Sequence, residues 1–93
     1  MDQTGRAARI LVGEDNDEVL SVLSRALSDG GYYVESATDG EAGLRLALEG
    51  SPDLVILDVS VPGGMGGAEA LRRLKKMRPD IPAIACSAYF NAP

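Results

Sequence analysis

The sequence predicts an α/β fold in which a parallel β-sheet is doubly wound, with helices on both of its faces. Short apolar stretches alternate with segments of helical periodicity, in the order β-α-β-α-β-α-β. The connections between these segments are short, which favours parallel strands joined by right-handed crossovers. A length of 93 residues allows one modest hydrophobic core, and we therefore expect a single domain.

The first strand–helix–strand unit is predicted from apolar spacing and from signals at its ends. Residues 10–12 form a continuous apolar run, which is typical of a strand buried on both faces. Apolar side chains then recur on one helical stripe until the Asp-Gly-Gly sequence at 29–31 ends the helix. The aromatic and β-branched run at 32–37 predicts the second strand. Residues 1–8 are polar and aperiodic, so we expect a tail there and a domain over 9–93.

The second half of the chain continues the alternation. The predicted order is helix, strand, glycine-rich loop, helix, strand and terminal loop, at 41–49, 54–57, 61–67, 68–77, 81–86 and 87–93. The strand at 54–57 is the most hydrophobic stretch, so we expect it to be central and to end at Asp58. In the third helix we expect the apolar side chains to face inward, namely Ala70, Leu71, Leu74 and Met77.

Composition excludes several classes of function. The chain has no histidine, so a Ser-His-Asp triad and a histidine-ligated zinc site are excluded within it. The single cysteine, Cys86, has apolar neighbours and is expected to be a buried core residue. A net charge of -5 disfavours nucleic-acid binding by this segment. Without a long apolar run or a signal peptide, we expect no membrane association and a cytoplasmic location.

Polar side chains follow three of the predicted strands. Glu14 and Asp15 come directly after the first strand, Asp58 ends the third, and Ser87 follows the fourth. Because the carboxyl ends of parallel strands meet at one edge of the sheet, we expect these residues to converge there. Two carboxylates about 4 Å apart repel by roughly 4 kcal/mol at an effective dielectric near 20, so either one carboxyl takes up a proton or a cation lies between them. Oxygen ligands without histidine or thiolate indicate Mg²⁺ or Mn²⁺.

A metal site at this edge suggests phosphoryl chemistry. A bound cation lets an anionic phosphoryl donor approach Asp58, which would act as a nucleophile and form an acyl phosphate. Ser87 would hydrogen-bond a phosphoryl oxygen. Each residue alone has a structural interpretation, since strand-end aspartates often cap helices and Glu14-Asp15 complements a helix dipole. Their convergence on one edge favours the chemical interpretation.

Four segments carry a resemblance to a known family: Ile-Leu-Val-Gly-Glu-Asp-Asn at 10–16, Gly-Tyr-Tyr-Val-Glu-Ser-Ala-Thr-Asp-Gly-Glu-Ala at 31–42, Pro-Asp-Leu-Val-Ile-Leu-Asp at 52–58 and Ile-Pro-Ala-Ile-Ala-Cys-Ser-Ala at 81–88. In this order and spacing they resemble the response-regulator receiver domain of bacterial two-component signalling. The resemblance implies a flavodoxin-like sheet of order 2-1-3-4. The family's fifth strand and helix are absent from these 93 residues, and we expect the exposed edge of strand four to favour self-association.

The same resemblance implies roles for individual residues. Asp58 would be the phosphoacceptor, Asp15 would bind Mg²⁺ directly, and Glu14 would bind it through water. The backbone carbonyl of Ser60 would complete the protein ligands, and Ser87 would stand for the hydroxyl that moves towards the phosphoryl group.

The resemblance also implies a phosphohistidine donor on a histidine kinase or phosphotransfer domain, which must lie outside this histidine-free chain. The sequences at 62–67 and 86–91 resemble, more finely, receivers fused to hybrid sensor histidine kinases. The family's lysine at the end of strand five has no counterpart here, since Lys75 and Lys76 are expected on the exposed side of a helix. Two alternatives stay open: a degenerate receiver that serves only as a protein-interaction module, and a metal-dependent phosphatase with an aspartyl nucleophile.

Overall fold

The computed structural model describes residues 7–59 and 65–86 of the chain. Within them the elements are β1 Arg9–Gly13, α1 Asp17–Asp29, β2 Tyr33–Ala37, α2 Gly40–Gly50, β3 Leu54–Asp58, α3 Gly66–Met77 and β4 Ala83–Cys86. All strand pairs are parallel, and the strand order is β2-β1-β3-β4. The predicted doubly wound α/β fold and the order 2-1-3-4 are therefore confirmed.

The main core lies between the sheet and the helices α2 and α3. It is formed by small and branched apolar side chains, namely Leu11, Ala47, Val55, Leu57, Ala70, Leu74 and Ile81. Residues 10–12 of β1 are buried on both faces of the sheet, as the continuous apolar run predicts. The two central strands are therefore held rigidly, and their carboxyl ends are fixed relative to each other.

Polar side chains define the starts of the first two helices. The side chain of Asn16 accepts a hydrogen bond from the backbone N–H of Val19 at 3.0 Å, and Asp39 accepts one from Ala42 at 2.7 Å. Each bond satisfies a backbone donor that the first helical turn leaves without a partner. Asn16 lies two residues after Glu14, so the cap that begins α1 also fixes the loop that carries the acidic residues.

Two side chains differ from the sequence-based expectation. Met77 is 57% exposed rather than inward, because it is the last residue of α3 and lies beyond the buried side chains of that helix. Cys86 is half-buried rather than part of the core. Among the described residues, α1 lies over β1 and β2 and leaves a groove beside β3 and β4 that Cys86 lines. Ile81 precedes β4 instead of beginning it, although it is buried as a strand residue would be.

The helix α1 packs only partially against the sheet. It has no buried residue, although its apolar side chains share one stripe. None of the helices in the described segments has the length and apolar character needed to cross a bilayer.

Candidate metal centre

Strand register brings the acidic residues to one edge of the sheet. The last residue of β1, Gly13, is level with Leu57 of β3 and with Ala37 of β2. The backbone N–H of Glu14 donates to the carbonyl oxygen of Ala37 at 2.9 Å, so Glu14 begins its loop at this level. Asp58 is the next residue of β3 and lies at the same edge. The side chains of the two acids therefore start from backbone that hydrogen bonds hold in place.

Three carboxylates meet at this edge. One oxygen from each of Glu14, Asp15 and Asp58 lies within 4.8 Å of the other two. Glu14 is 1% exposed and Asp58 is fully buried, whereas Asp15 is exposed to solvent. The group thus has two acids inside the fold and one that is exposed to solvent. The two other residues named for this site, Ser60 and Ser87, lie outside the described residues.

Burial makes the charged form of Glu14 costly. Loss of hydration raises the pKa of Glu14, and the neighbouring Asp58 and Asp15 raise it further. A hydrogen bond from the backbone N–H of Asn16 to Oε2 of Glu14, at 3.1 Å, partly opposes this effect. The unfavourable charge density at the edge would be relieved by a proton or by a cation.

The chemistry of this donor set fits a hard divalent cation. All three side chains offer carboxylate oxygens, which suit Mg²⁺ and Mn²⁺. Cys86, which is level with Asp58 in the sheet, is the neighbouring soft donor. Burial and the charges of Asp58 and Glu14 raise the pKa of its thiol above the ordinary value of 9.0, so it stays protonated at neutral pH. The residues present therefore favour a metal that binds oxygen over one that needs a thiolate.

A glycine that was predicted only as part of the loop at 61–67 lies against the site. Gly67, in the first turn of α3, packs directly on the backbone of Asp58 and Val59. A side-chain Cβ at this position would overlap the carbonyl oxygen of Asp58 and lie 3.0 Å from Cα of Val59. On the other side, the N–H of Val59 donates to the carbonyl oxygen of Cys86 at 2.9 Å. The backbone of Asp58 is thus fixed between α3 and β4, and Gly67 is a positioning residue that only the contact reveals.

Glu14 makes the stability of the metal-free protein depend on pH. Its pKa is raised in the folded state, so the folded protein holds a proton that the unfolded chain releases near the ordinary value of 4.5. The free energy of unfolding is therefore expected to fall as pH rises from 4.5 through the folded pKa. We expect Glu14→Gln to remove most of this decline, as measured by urea unfolding with EDTA at a series of pH values.

The control for this measurement is Glu49→Gln, which neutralises an exposed glutamate at the end of α2 and should leave the decline intact. Below pH 4.5 two other acids give the free energy of unfolding the opposite dependence on pH. Arg73 lowers the pKa of Glu69, and Arg78 lowers the pKa of Asp80. Their stabilising contribution is lost as pH falls through the folded pKa values. A decline above pH 4.5 that persists in Glu14→Gln would show that another group causes it.

The sequence is similar to a known family over most of its length. The family model described as "Response regulator receiver domain" matches residues 10–93. Response regulator GacA of Pseudomonas viridiflava is 43% identical over 87 residues, which are 91% of this chain and 40% of that protein. Transcriptional regulatory protein PrrA of Mycobacterium tuberculosis is 36% identical over 88 residues, 95% of this chain and 37% of that protein. The chain thus spans about two fifths of the length of these curated relatives.

Solved structures show the same fold. A receiver domain protein described as CheY-like from Methanospirillum hungatei superposes with a TM-score of 0.83 at 29% identity, covering 91% of this chain and 67% of that one. The N-terminal domain of a response regulator receiver protein from Methanoculleus marisnigri gives a TM-score of 0.80 at 34% identity, covering 92% and 71%. The printed names of these proteins are those of response regulators, receivers and a transcriptional regulatory protein, so the finer resemblance to hybrid kinase receivers stays a prediction.

Proposed function

Because the chain belongs to the response regulator receiver domain family of two-component systems, we propose that Asp58 accepts a phosphoryl group from a phosphohistidine of a partner protein. The observation that best supports this proposal is the position of Asp58. It is fully buried at the carboxyl end of a central strand, with carboxylate oxygens of Glu14 and Asp15 within 4.8 Å. A carboxylate in this place lies beside the two other acids at the carboxyl edge of the sheet, where parallel α/β folds bind ligands.

The proposed reaction is an exchange of one bond to phosphorus for another. A carboxylate oxygen of Asp58 attacks the phosphorus, the bond from phosphorus to the histidine nitrogen breaks, and the leaving imidazole takes up a proton. Glu14 and Asp15 would hold Mg²⁺ together with Asp58, and this ion would neutralise charge on the phosphoryl oxygens. The backbone carbonyl of Ser60 and the hydroxyl of Ser87 would complete the site as the family resemblance implies.

The donor in this proposal is a histidine kinase or a phosphotransfer domain. The chain contains no histidine, so the phosphohistidine has to come from another protein or another part of a longer one. An acidic chain of net charge -5 does not favour contact with nucleic acid through this segment. We also propose that the reaction takes place in the cytoplasm.

The experiment is phosphorylation of the complete receiver domain by acetyl phosphate, followed by intact-protein mass spectrometry. We expect a phosphorylated species that requires Mg²⁺, disappears with EDTA and is absent in Asp58→Asn. Asp29→Asn, at the far end of α1, is the matched control and should be phosphorylated as the wild type is. Beryllofluoride binding, detected by fluorine NMR, gives a second readout of the same site.

The results distinguish phosphorylation from the simpler alternative. If Mg²⁺ binds at the three carboxylates and neither reagent modifies the protein, the phosphoacceptor proposal is wrong. The chain would then be a degenerate receiver that acts through protein contacts. Turnover of a simple phosphate ester would instead support the aspartyl phosphatase alternative.

A further inference from the structure

The starts of α2 and α3 meet backbone to backbone beside the metal centre. Gly40, the first residue of α2, is buried and lies against Gly66, the first residue of α3. A Cβ at position 40 would lie 2.3 Å from the carbonyl oxygen of Gly66 and 2.7 Å from its carbonyl carbon. Carbon atoms in ordinary contact are about 3.5–4.0 Å apart, so the helices approach this closely only because Gly40 has no side chain.

The contact continues from Gly66 to the buried acid of the site. Gly66 has a φ of 73°, a left-handed conformation that glycine adopts without the strain that a side chain brings. The next residue, Gly67, packs on the backbone of Asp58. The three glycines Gly40, Gly66 and Gly67 therefore connect the start of α2 to the end of β3 through direct backbone contacts.

The starts of the two helices differ in how firmly they are held. The side chain of Asp39 accepts a hydrogen bond from the N–H of Ala42 at 2.7 Å, and its carbonyl oxygen accepts one from the N–H of Gly43 at 3.0 Å. At the start of α3, Met65 provides no side-chain hydrogen bond to the helix within the described part of the chain. An obstacle at position 40 is therefore expected to displace the start of α3 rather than the start of α2.

We propose that Gly40 is a positioning residue for the metal centre, since its lack of a side chain lets the start of α3 lie where it holds the backbone of Asp58. A displacement of about 1 Å would relieve the overlap, and Gly67 would move together with Gly66. The carboxylate of Asp58 would then shift relative to that of Glu14. This inference rests on the proposed function, because it extends the proposed metal site from its ligands to a residue on another helix.

The test compares Gly40→Ala with the wild type in the complete receiver domain, by NMR and by Mg²⁺ titration. In EDTA we expect the amide resonance of Val59 to shift, because its N–H donates to the carbonyl oxygen of Cys86 at 2.9 Å and that bond follows the end of β3. Resonances of the folded state report its geometry, so a loss of stability alone would leave them in place. Mg²⁺ affinity should fall about tenfold, as it does for other residues that orient metal ligands from outside.

Gly43→Ala is the matched control, three residues further along the same helix. Gly43 is also buried, but a Cβ there would have only ordinary contacts, the nearest at 3.7 Å from Leu57. This variant should keep both the Val59 resonance and the Mg²⁺ affinity of the wild type. If Gly40→Ala alone does not stay folded, the double variant Gly40→Ala/Gly43→Ala recovers part of the stability, since alanine favours a helix over glycine.

Two results would overturn the inference. One is a folded Gly40→Ala protein that keeps the Val59 resonance and the Mg²⁺ affinity of the wild type. The other is an equal loss of Mg²⁺ affinity in Gly40→Ala and Gly43→Ala, which would be a general effect of alanine in α2. A wild type that binds no Mg²⁺ would instead contradict the proposed metal site, and the Val59 resonance in EDTA would still decide whether Gly40 positions the end of β3.

Discussion

Replacing Asp58 with asparagine is expected to stabilise the metal-free protein by about 2 kcal/mol and to weaken Mg²⁺ binding about tenfold or more. Asp58 is fully buried beside Glu14, which is 1% exposed, so two carboxylates share a poorly hydrated site. An amide of the same shape removes one of the charges and the repulsion that it causes. The same change removes an anionic ligand, so the stabilisation that Mg²⁺ provides should nearly disappear.

Urea unfolding at neutral pH, with EDTA or with excess Mg²⁺, measures both effects. The wild type should gain stability when Mg²⁺ is added, whereas Asp58→Asn should start higher and gain little. Asp29→Asn removes an exposed carboxylate and should change the free energy of unfolding by no more than about 0.5 kcal/mol in either condition. Equal stability of the wild type and Asp58→Asn in EDTA would mean that repulsion among these acids does not strain the fold.

Replacing Gly67 with alanine is expected to destabilise the protein by about 2–3 kcal/mol. The added methyl group would overlap the carbonyl oxygen of Asp58, and both partners are backbone atoms of packed elements that cannot move freely. Either α3 shifts away from the sheet or the end of β3 is displaced. Since the displaced residue carries a site carboxylate, Mg²⁺ affinity should fall together with stability.

Gly43 provides the matched control within the same fold. It is also a buried helical glycine, but a Cβ there would lie 3.7 Å from Leu57 and 3.8 Å from Ala37, at ordinary contact distance. Gly43→Ala should therefore stabilise the protein by up to about 1 kcal/mol through helix propensity alone. The comparison isolates the steric effect from the change of glycine to alanine. Similar results for both variants would show that α3 is not closely packed on Asp58.

The pattern of apolar residues was sufficient to predict the elements, because secondary structure depends on periodicity and on local end signals. The run at 10–12 and the stop at 29–31 lie within one or two residues of the observed ends of β1 and α1. Met77 shows where this reasoning fails. Its spacing matches the inward face of α3, but a helix can extend past the surface that it packs on, and only the position of the sheet decides where burial ends.

The convergence of Glu14, Asp15 and Asp58 could also be predicted, since parallel strands direct their carboxyl ends to one edge. The different degrees of burial of these acids could not be predicted from the sequence. Nothing in the local sequence distinguishes Glu14, which is almost fully buried, from its exposed neighbour Asp15. The direction in which each side chain leaves the end of β1 decides how deeply it is buried. That direction depends on the loop after β1, which the hydrogen bonds of Asn16 hold in place.

The amino-acid order by itself determined the α/β alternation, the parallel sheet and the edge at which the carboxylates meet, because these depend on periodicity and chain direction. Only the tertiary structure decided how deeply each acid is buried and why Gly67 has to lack a side chain. Those properties depend on distances between segments far apart in the chain, and such distances exist only after the helices have packed on the sheet.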